Sequence, residues 1–295
     1  MHPCVSFTEA CTAGGSIRRR EDGAPQMTAE HHWTASDGTR LFYRVDDFTD
    51  PWIDASTIVL LHPGMGSSLR LFGWVPHLAR QFRVVRPDTR GHGRSEPGPL
   101  DALCHDRLSL DLFELFDHLG IASAHVMGSS AGGMIAGQAA IREPDRFRSL
   151  ALYAATAGIP PSRPQKGDWM ARVGKAGVRG FLEQTVRDRI GDASPEQVKW
   201  YLDSADGLTV EYLSRFVPLM ASEDWTERLA DFRFPVMMGV PDPDPMVEHG
   251  EYERMLGYIR DCTFVTFPGA SHGMTAEIPD ACALEYLKFL EKVEP

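Results

Sequence analysis

The chain has 295 residues, 43% of them hydrophobic, and carries a net charge of −11. That length holds one large α/β domain with an insertion, or two domains, and the apolar fraction can bury a substantial core. The acidic balance argues against non-specific nucleic-acid binding and against docking on anionic lipid, and no apolar run approaches the length of a membrane span.

Five cysteines (Cys4, Cys11, Cys104, Cys262 and Cys282) lie far apart, with no Cys-x-x-Cys pair. They read as scattered thiols of a reducing, cytoplasmic setting, not as a disulfide framework or a zinc site. Residues 1–28 contain Gly14-Gly15-Ser16, the run Arg18-Arg19-Arg20 and Gly23-Ala24-Pro25 without periodicity, and are expected to be a disordered tail. They lack the apolar centre of a signal peptide, and Met27 is a candidate alternative start.

From residue 30 the pattern changes. Strand-like runs at 30–35 and 39–45 flank Ser36-Asp37-Gly38, a hairpin signal. Residues 57–61 are a short apolar run, as in a strand buried on both faces. The run opens into His62-Pro63-Gly64-Met65-Gly66-Ser67-Ser68, then a helical stretch over 69–81. A strand at 82–86 leads into Asp88-x-x-Gly91-x-Gly93-x-Ser95, and 101–119 has an apolar helix face of Leu108, Leu112, Leu115, Phe116 and Leu119. Strands are expected at 124–127 and 149–154, with a helix at 130–142 stopped by Pro144.

After Gly158 the period is helical to about residue 231, beginning in the proline-rich stretch 160–164, and no convincing strand interrupts it. Strand and helix alternation resumes with strands at 235–239 and 262–267 and helices at 247–259 and 278–292. This alternation calls for a mostly parallel sheet with helices on both faces. An all-helical insertion between two strands would sit above the sheet's carboxyl edge, where open α/β sheets bind ligands.

The chemistry centres on Gly128-Ser129-Ser130-Ala131-Gly132, a Gly-x-Ser-x-Gly turn between the strand ending at Met127 and the next helix. Only Ser130 fits that frame, because Ser129 would need glycines where Met127 and Ala131 stand. Such a turn brings strand and helix backbones close, so the flanking glycines have a steric reason, and the serine sits at a helix N-terminus that favours developing negative charge. A serine hydroxyl needs a base, and the base needs an orienting acid. Of eleven histidines, His272 in Pro268-Gly269-Ala270-Ser271-His272-Gly273 follows a strand directly and has small neighbours that leave its ring free. His62, His92 and His125 also lie near strand ends, but loop hydrogen bonding accounts for each. The acid should come from another strand end. Asp242, the first acid past the strand at 235–239, is the choice, with Asp244 and Glu248 as competitors. For the oxyanion, the backbone N–H of Ala131 is one donor. The second comes from the loop opened by His62, with Gly64 first and Met65 second.

The order Ser130, Asp242, His272, together with His62-Pro63-Gly64, Asp88-x-x-Gly91-x-Gly93-x-Ser95, Gly239-x-x-Asp242 and Ser271-His272, resembles the α/β-hydrolase fold family over residues 30–157 and 232–295. The resemblance implies an α/β fold with a central, mostly parallel eight-stranded sheet flanked by helices. It also implies a core of residues 29–157 and 232–295, with a helical cap at 158–231 inserted after the sixth strand. It is nearest to the capped branch of esterases, enol-lactonases and carbon–carbon bond hydrolases. Epoxide hydrolases and haloalkane dehalogenases of this fold use aspartate where this chain has Ser130, and the carbon–carbon hydrolases usually carry tryptophan where it has Gly273. Cleavage of a small ester, lactone or amide through an acyl-serine is therefore expected, with no cofactor, no metal and no nucleic-acid or membrane partner. A homodimer stays open. An acyltransferase, a perhydrolase or a carbon–carbon bond hydrolase on the same triad, and more remotely a non-enzymatic small-molecule receptor, are the rival readings. Of the cap aromatics Trp169, Phe181, Trp200, Tyr201, Phe216 and Trp225, most should be cap core and one or two should line an apolar pocket. Among Arg172, Arg179, Arg187 and Arg215, one is a candidate to pair with a substrate carboxylate.

Overall fold

A computed structural model describes residues 28–158 and 169–294; residues 1–27 of the expected N-terminal tail, Met27 among them, and the proline-rich stretch at 160–164 lie outside the described residues. Strands β1 (Ala29–Thr34), β2 (Arg40–Asp46), β3 (Thr57–Leu61), β4 (Arg83–Pro87), β5 (Ala124–Ser129), β6 (Phe147–Tyr153), β7 (Val236–Asp242) and β8 (Cys262–Pro268) form one sheet in the order β1-β2-β4-β3-β5-β6-β7-β8. Only β2 runs against its neighbours; every other pairing is parallel. All five residues of β3 and all six of β5 are buried, so their apolar runs reflect coverage on both faces.

The two faces have separate cores. One, built on Leu108, Leu112, Phe116, Ile135 and Ala139, packs helices α2 (His105–His118) and α3 (Ala131–Arg142) on the sheet. The other, built on Trp74, Met127, Tyr153, Tyr286 and Leu290, packs α1 (Val75–Leu78), α9 (Met274–Glu277) and α10 (Pro279–Val293) on the opposite face. Every α3 residue from Ala131 to Ala140 is buried, which its small side chains permit.

Three expected helices are shorter than their periodicity implied. The stretch at 69–81 is a 3₁₀ segment, Ser68–Trp74, followed by the single-turn α1. It is held from outside: the Trp74 indole donates to the Thr275 carbonyl at 2.9 Å, and a Cβ on Gly73 would press on the Pro279 ring. The helix expected from Asp101 begins at His105, capped by Cys104. The helix expected at 247–259 is reduced to α8 (Glu251–Leu256), which starts after Gly250 in the left-handed conformation at φ +87.

Between β6 and β7 lie α4 (Trp169–Gln184, broken at Gly177 with φ +71), α5 (Val186–Ile190), α6 (Pro195–Asp203) and α7 (Val210–Met220). The described part of this block contains no strand, only an isolated bridge between Gly158 and Asp224. No helix among the described residues is long and apolar enough to cross a membrane.

Candidate active site

Ser130 stands between β5 and α3 with φ +50 and ψ −118, a conformation that costs an L-residue strain and is held by its surroundings. Its N–H donates to the Tyr153 carbonyl of β6 at 2.9 Å. The flanking glycines are required by contact. A Cβ on Gly128 would lie 2.5 Å from the Gly132 carbonyl carbon, and one on Gly132 would lie 2.5 Å from the Leu61 carbonyl oxygen.

His272 arrives from the turn after β8. Its Nε2 lies 2.9 Å from the Ser130 hydroxyl oxygen, across 142 residues of sequence. The other ring nitrogen, Nδ1, faces a carboxylate at 2.9 and 3.1 Å, and that carboxylate belongs to Asp244. Nδ1 therefore carries the proton and donates, leaving the Nε2 lone pair to accept from the serine.

The expectation of Asp242 is corrected here, and the reason is strand length. β7 runs three residues past Gly239 because Val240, Pro241 and Asp242 pair with Thr266, Phe267 and Pro268 of β8. Asp242 is still in the ladder, its carbonyl accepting from Gly269 N at 2.9 Å and its side chain exposed. Asp244 is the first acid beyond the true strand end. Its side chain is 3% exposed and also accepts from the Tyr252 hydroxyl at 2.6 Å and the Met246 N–H at 2.7 Å. Burial alone would raise its pKa; the bonds from His272, Tyr252 and Met246 outweigh that and hold it below the ordinary carboxylate value.

The backbone of the His272 turn rests on α5. The Asp188 carbonyl accepts from His272 N at 3.3 Å, and the Arg189 carbonyl accepts from Gly273 N at 2.6 Å. Any Cβ on Gly273 would overlap that Arg189 oxygen. Gly273→Ala is thus expected to displace the imidazole and to lower kcat by about 10²-fold, as ~1 Å displacements do, with the circular dichroism spectrum unchanged.

Gly64, Met65 and Ala131 border the same space as Ser130 and His272. Among the described residues nothing accepts from the N–H of Gly64, Met65 or Ala131, and Met65 is held at φ +57. The space is a cavity of about 280 Å³ whose walls come from the sheet edge and from the helical block, including Trp169, Tyr201 and Phe216. The other block aromatics pack elsewhere: Phe181 beside Trp169, Trp200 against Phe72, and Trp225 over Gly137.

Of the four arginines singled out in the sequence, none lines the cavity. Arg179 pairs with Asp203, Arg187 pairs with Asp192 at 2.5 Å while 80% exposed, and Arg172 reaches Gln184. Among the described residues the arginine that does line it is Arg189, which nothing in the local sequence Arg187-Asp188-Arg189 distinguishes from its exposed neighbour.

The remaining strand-end histidines are structural. His62 Nδ1 donates to the Pro63 carbonyl at 2.8 Å and its Nε2 accepts from Thr89 N at 2.9 Å, while His92 Nδ1 donates to the Arg90 carbonyl at 3.0 Å. His125 meets the Ser149 hydroxyl at 2.8 Å. Burial pushes His62 down to about 4 and His92 down to about 3, from 6.5. Both are neutral in the native protein at mildly acid pH, whereas the unfolded chain takes up protons there. Stability should therefore be unaffected by these rings above pH ~7 and fall as pH drops from ~6.5 toward ~4, by up to about 1.4 kcal/mol per pH unit for each ring. Urea midpoints measured across this range check it. The depressed carboxyl of Asp244 works in the same direction further down, its contribution being present above the unfolded carboxylate pKa and lost as pH falls through the native one.

A family model described as the alpha/beta hydrolase fold matches residues 57–204. The 3-oxoadipate enol-lactonase 2 of Acinetobacter baylyi is 30% identical over 217 residues, covering 70% of this chain and 78% of that one. The proposed carbamate hydrolase RutD of Caulobacter sp. (strain K31) is 26% identical over 263 residues, covering 81% and 92%. Among solved structures, the enol-lactonase from Burkholderia xenovorans LB400 superposes with a TM-score of 0.78 at 25% identity, covering 88% of this chain and all of that one.

Proposed function

The chain belongs to the α/β-hydrolase fold family and is a hydrolase; from that premise we propose that Ser130, His272 and Asp244 cleave a small carboxylic ester or lactone through a covalent acyl-serine. The carrying observation is the unbroken line Asp244–His272–Ser130 at the wall of a cavity. Ser130 attacks the carbonyl while His272 Nε2 takes its proton. Asp244 balances the imidazolium through Nδ1–H, and the proton then goes to the departing alkoxide. Water, deprotonated by the same nitrogen, releases the acid. The developing oxyanion is received by the N–H of Ala131 and by the Gly64–Met65 turn, one such donor being worth about 2.7–4 kcal/mol in the transition state. The helical block between β6 and β7 acts as the lid that keeps this site dry. The partner is a small molecule met in the cytoplasm, with no nucleic acid or membrane involved; light scattering decides whether a homodimer forms.

Incubation with an organophosphonate, followed by peptide mass mapping, is expected to modify Ser130 alone; modification elsewhere overturns the assignment. A panel of esters, lactones and carbamates then ranks the scissile groups. Transfer to an added alcohol that outruns hydrolysis would favour an acyltransferase instead.

A further inference from the structure

The cavity contains a charge that the triad does not use. Arg189 lines it beside Ser130 and His272 and is 5% exposed. Its Nε donates to the Thr185 hydroxyl at 2.9 Å, its guanidinium lies 5.7 Å from the rings of Trp169 and Phe181, and one Nη lies 4.0 Å from the Met65 sulfur. Among the described residues it has no carboxylate partner, and no Asp or Glu lines the cavity. A buried cation in this state is costly unless something anionic joins it.

A second buried guanidinium stands behind the same wall. Arg70, 1% exposed, lies 3.5 Å over the ring of Tyr201, which lines the cavity, and donates to Ser204 Oγ at 2.7 Å and to the Tyr201 carbonyl at 3.1 Å. It too lacks a carboxylate among the described residues, and one of its nitrogens is buried without a partner. Burial lowers its pKa to about 10, with Arg189 adding repulsion, so it stays charged at neutral pH. In a chain of net charge −11, two uncompensated cations beside one cavity make that cavity locally positive.

We propose that Arg189 anchors a carboxylate carried by the substrate, so that the ester or lactone this site takes is anionic. The proposal rests on the hydrolytic reading above and narrows its substrate class. The anchor is well placed for orientation. Its own carbonyl fixes Gly273, so the anion site and the catalytic imidazole share one rigid corner. A guanidinium with free N–H groups in a mainly apolar pocket suits a planar carboxylate.

The test compares p-nitrophenyl hemiglutarate with p-nitrophenyl valerate, which differ only in the terminal carboxylate. Wild-type protein is expected to favour the hemiester by about tenfold or more in kcat/KM, as a buried charge-assisted bond implies. Arg189→Gln should collapse that ratio, chiefly through KM, and Arg189→Lys should restore part of it; Arg187→Gln, on the exposed neighbour, should keep the wild-type ratio. Free glutarate should inhibit valerate turnover competitively in the unaltered protein, and glutaramide should not, a readout that needs no variant to fold. A protein that turns over the valerate ester with Ser130 labelled, yet shows neither the preference nor glutarate inhibition, overturns the role of Arg189 alone. So does Arg189→Gln lowering both esters equally. Absence of Ser130 labelling overturns the hydrolytic reading beneath it, and this one with it.

Discussion

Asp244→Asn is expected to lower kcat by about 10⁴-fold, whereas Asp242→Asn should leave it close to the wild-type value. The two residues are one proline apart, and only position 244 faces the imidazole. An asparagine there loses the charge that balances the imidazolium. It can also turn its amide N–H₂ toward Nδ1, which would place the ring proton on Nε2, where it cannot accept from Ser130. The measurement is steady-state kinetics on a neutral ester with both variants, beside their melting temperatures, since Asp244 also ties down Tyr252 and Met246. Equal losses at both positions, or a greater loss at 242, would place the orienting acid elsewhere.

Ser130→Ala should cost more, about 10⁶-fold in kcat, and should abolish organophosphonate labelling while the cavity still binds ligand. The size follows from the triad acting as a unit: without the oxygen, the proton relay has nothing to activate. The same position supports a stability comparison that catalysis does not influence. With φ at +50, residue 130 pays backbone strain for exposing its hydroxyl. Ser130→Gly, which tolerates that conformation, should therefore be more stable than Ser130→Ala by about 1–2 kcal/mol, read from urea unfolding at neutral pH. Equal stabilities would mean that the turn carries no strain.

Most of the frame was legible because its signals are local. The buried strands β3 and β5 announce themselves as apolar runs, the Ser130 turn by the glycines its close approach demands, and His272 by its place directly after a strand among small residues. The hairpin of β1 and β2 follows from one turn signal between two runs. Helix periodicity overreached at 69–81, where the Pro279 ring shapes the chain from far away in sequence, and at 247–259, where Gly250 stands at φ +87 before the shortened helix.

What the sequence by itself determined is the strand–helix order and the placing of Ser130 and His272 at their turns, since each depends on residues within a few positions of itself. Tertiary structure alone decided which acid faces His272, which arginine is turned inward and why residue 273 has no side chain. The physical reason is common to all three. The end of β7 is set by hydrogen bonds to β8, Arg189 is turned inward between Met65 and the rings of Trp169 and Phe181, and its carbonyl, bonded to the His272 turn, excludes a Cβ at 273. These are contacts between segments far apart in sequence, and no window of neighbouring residues encodes them.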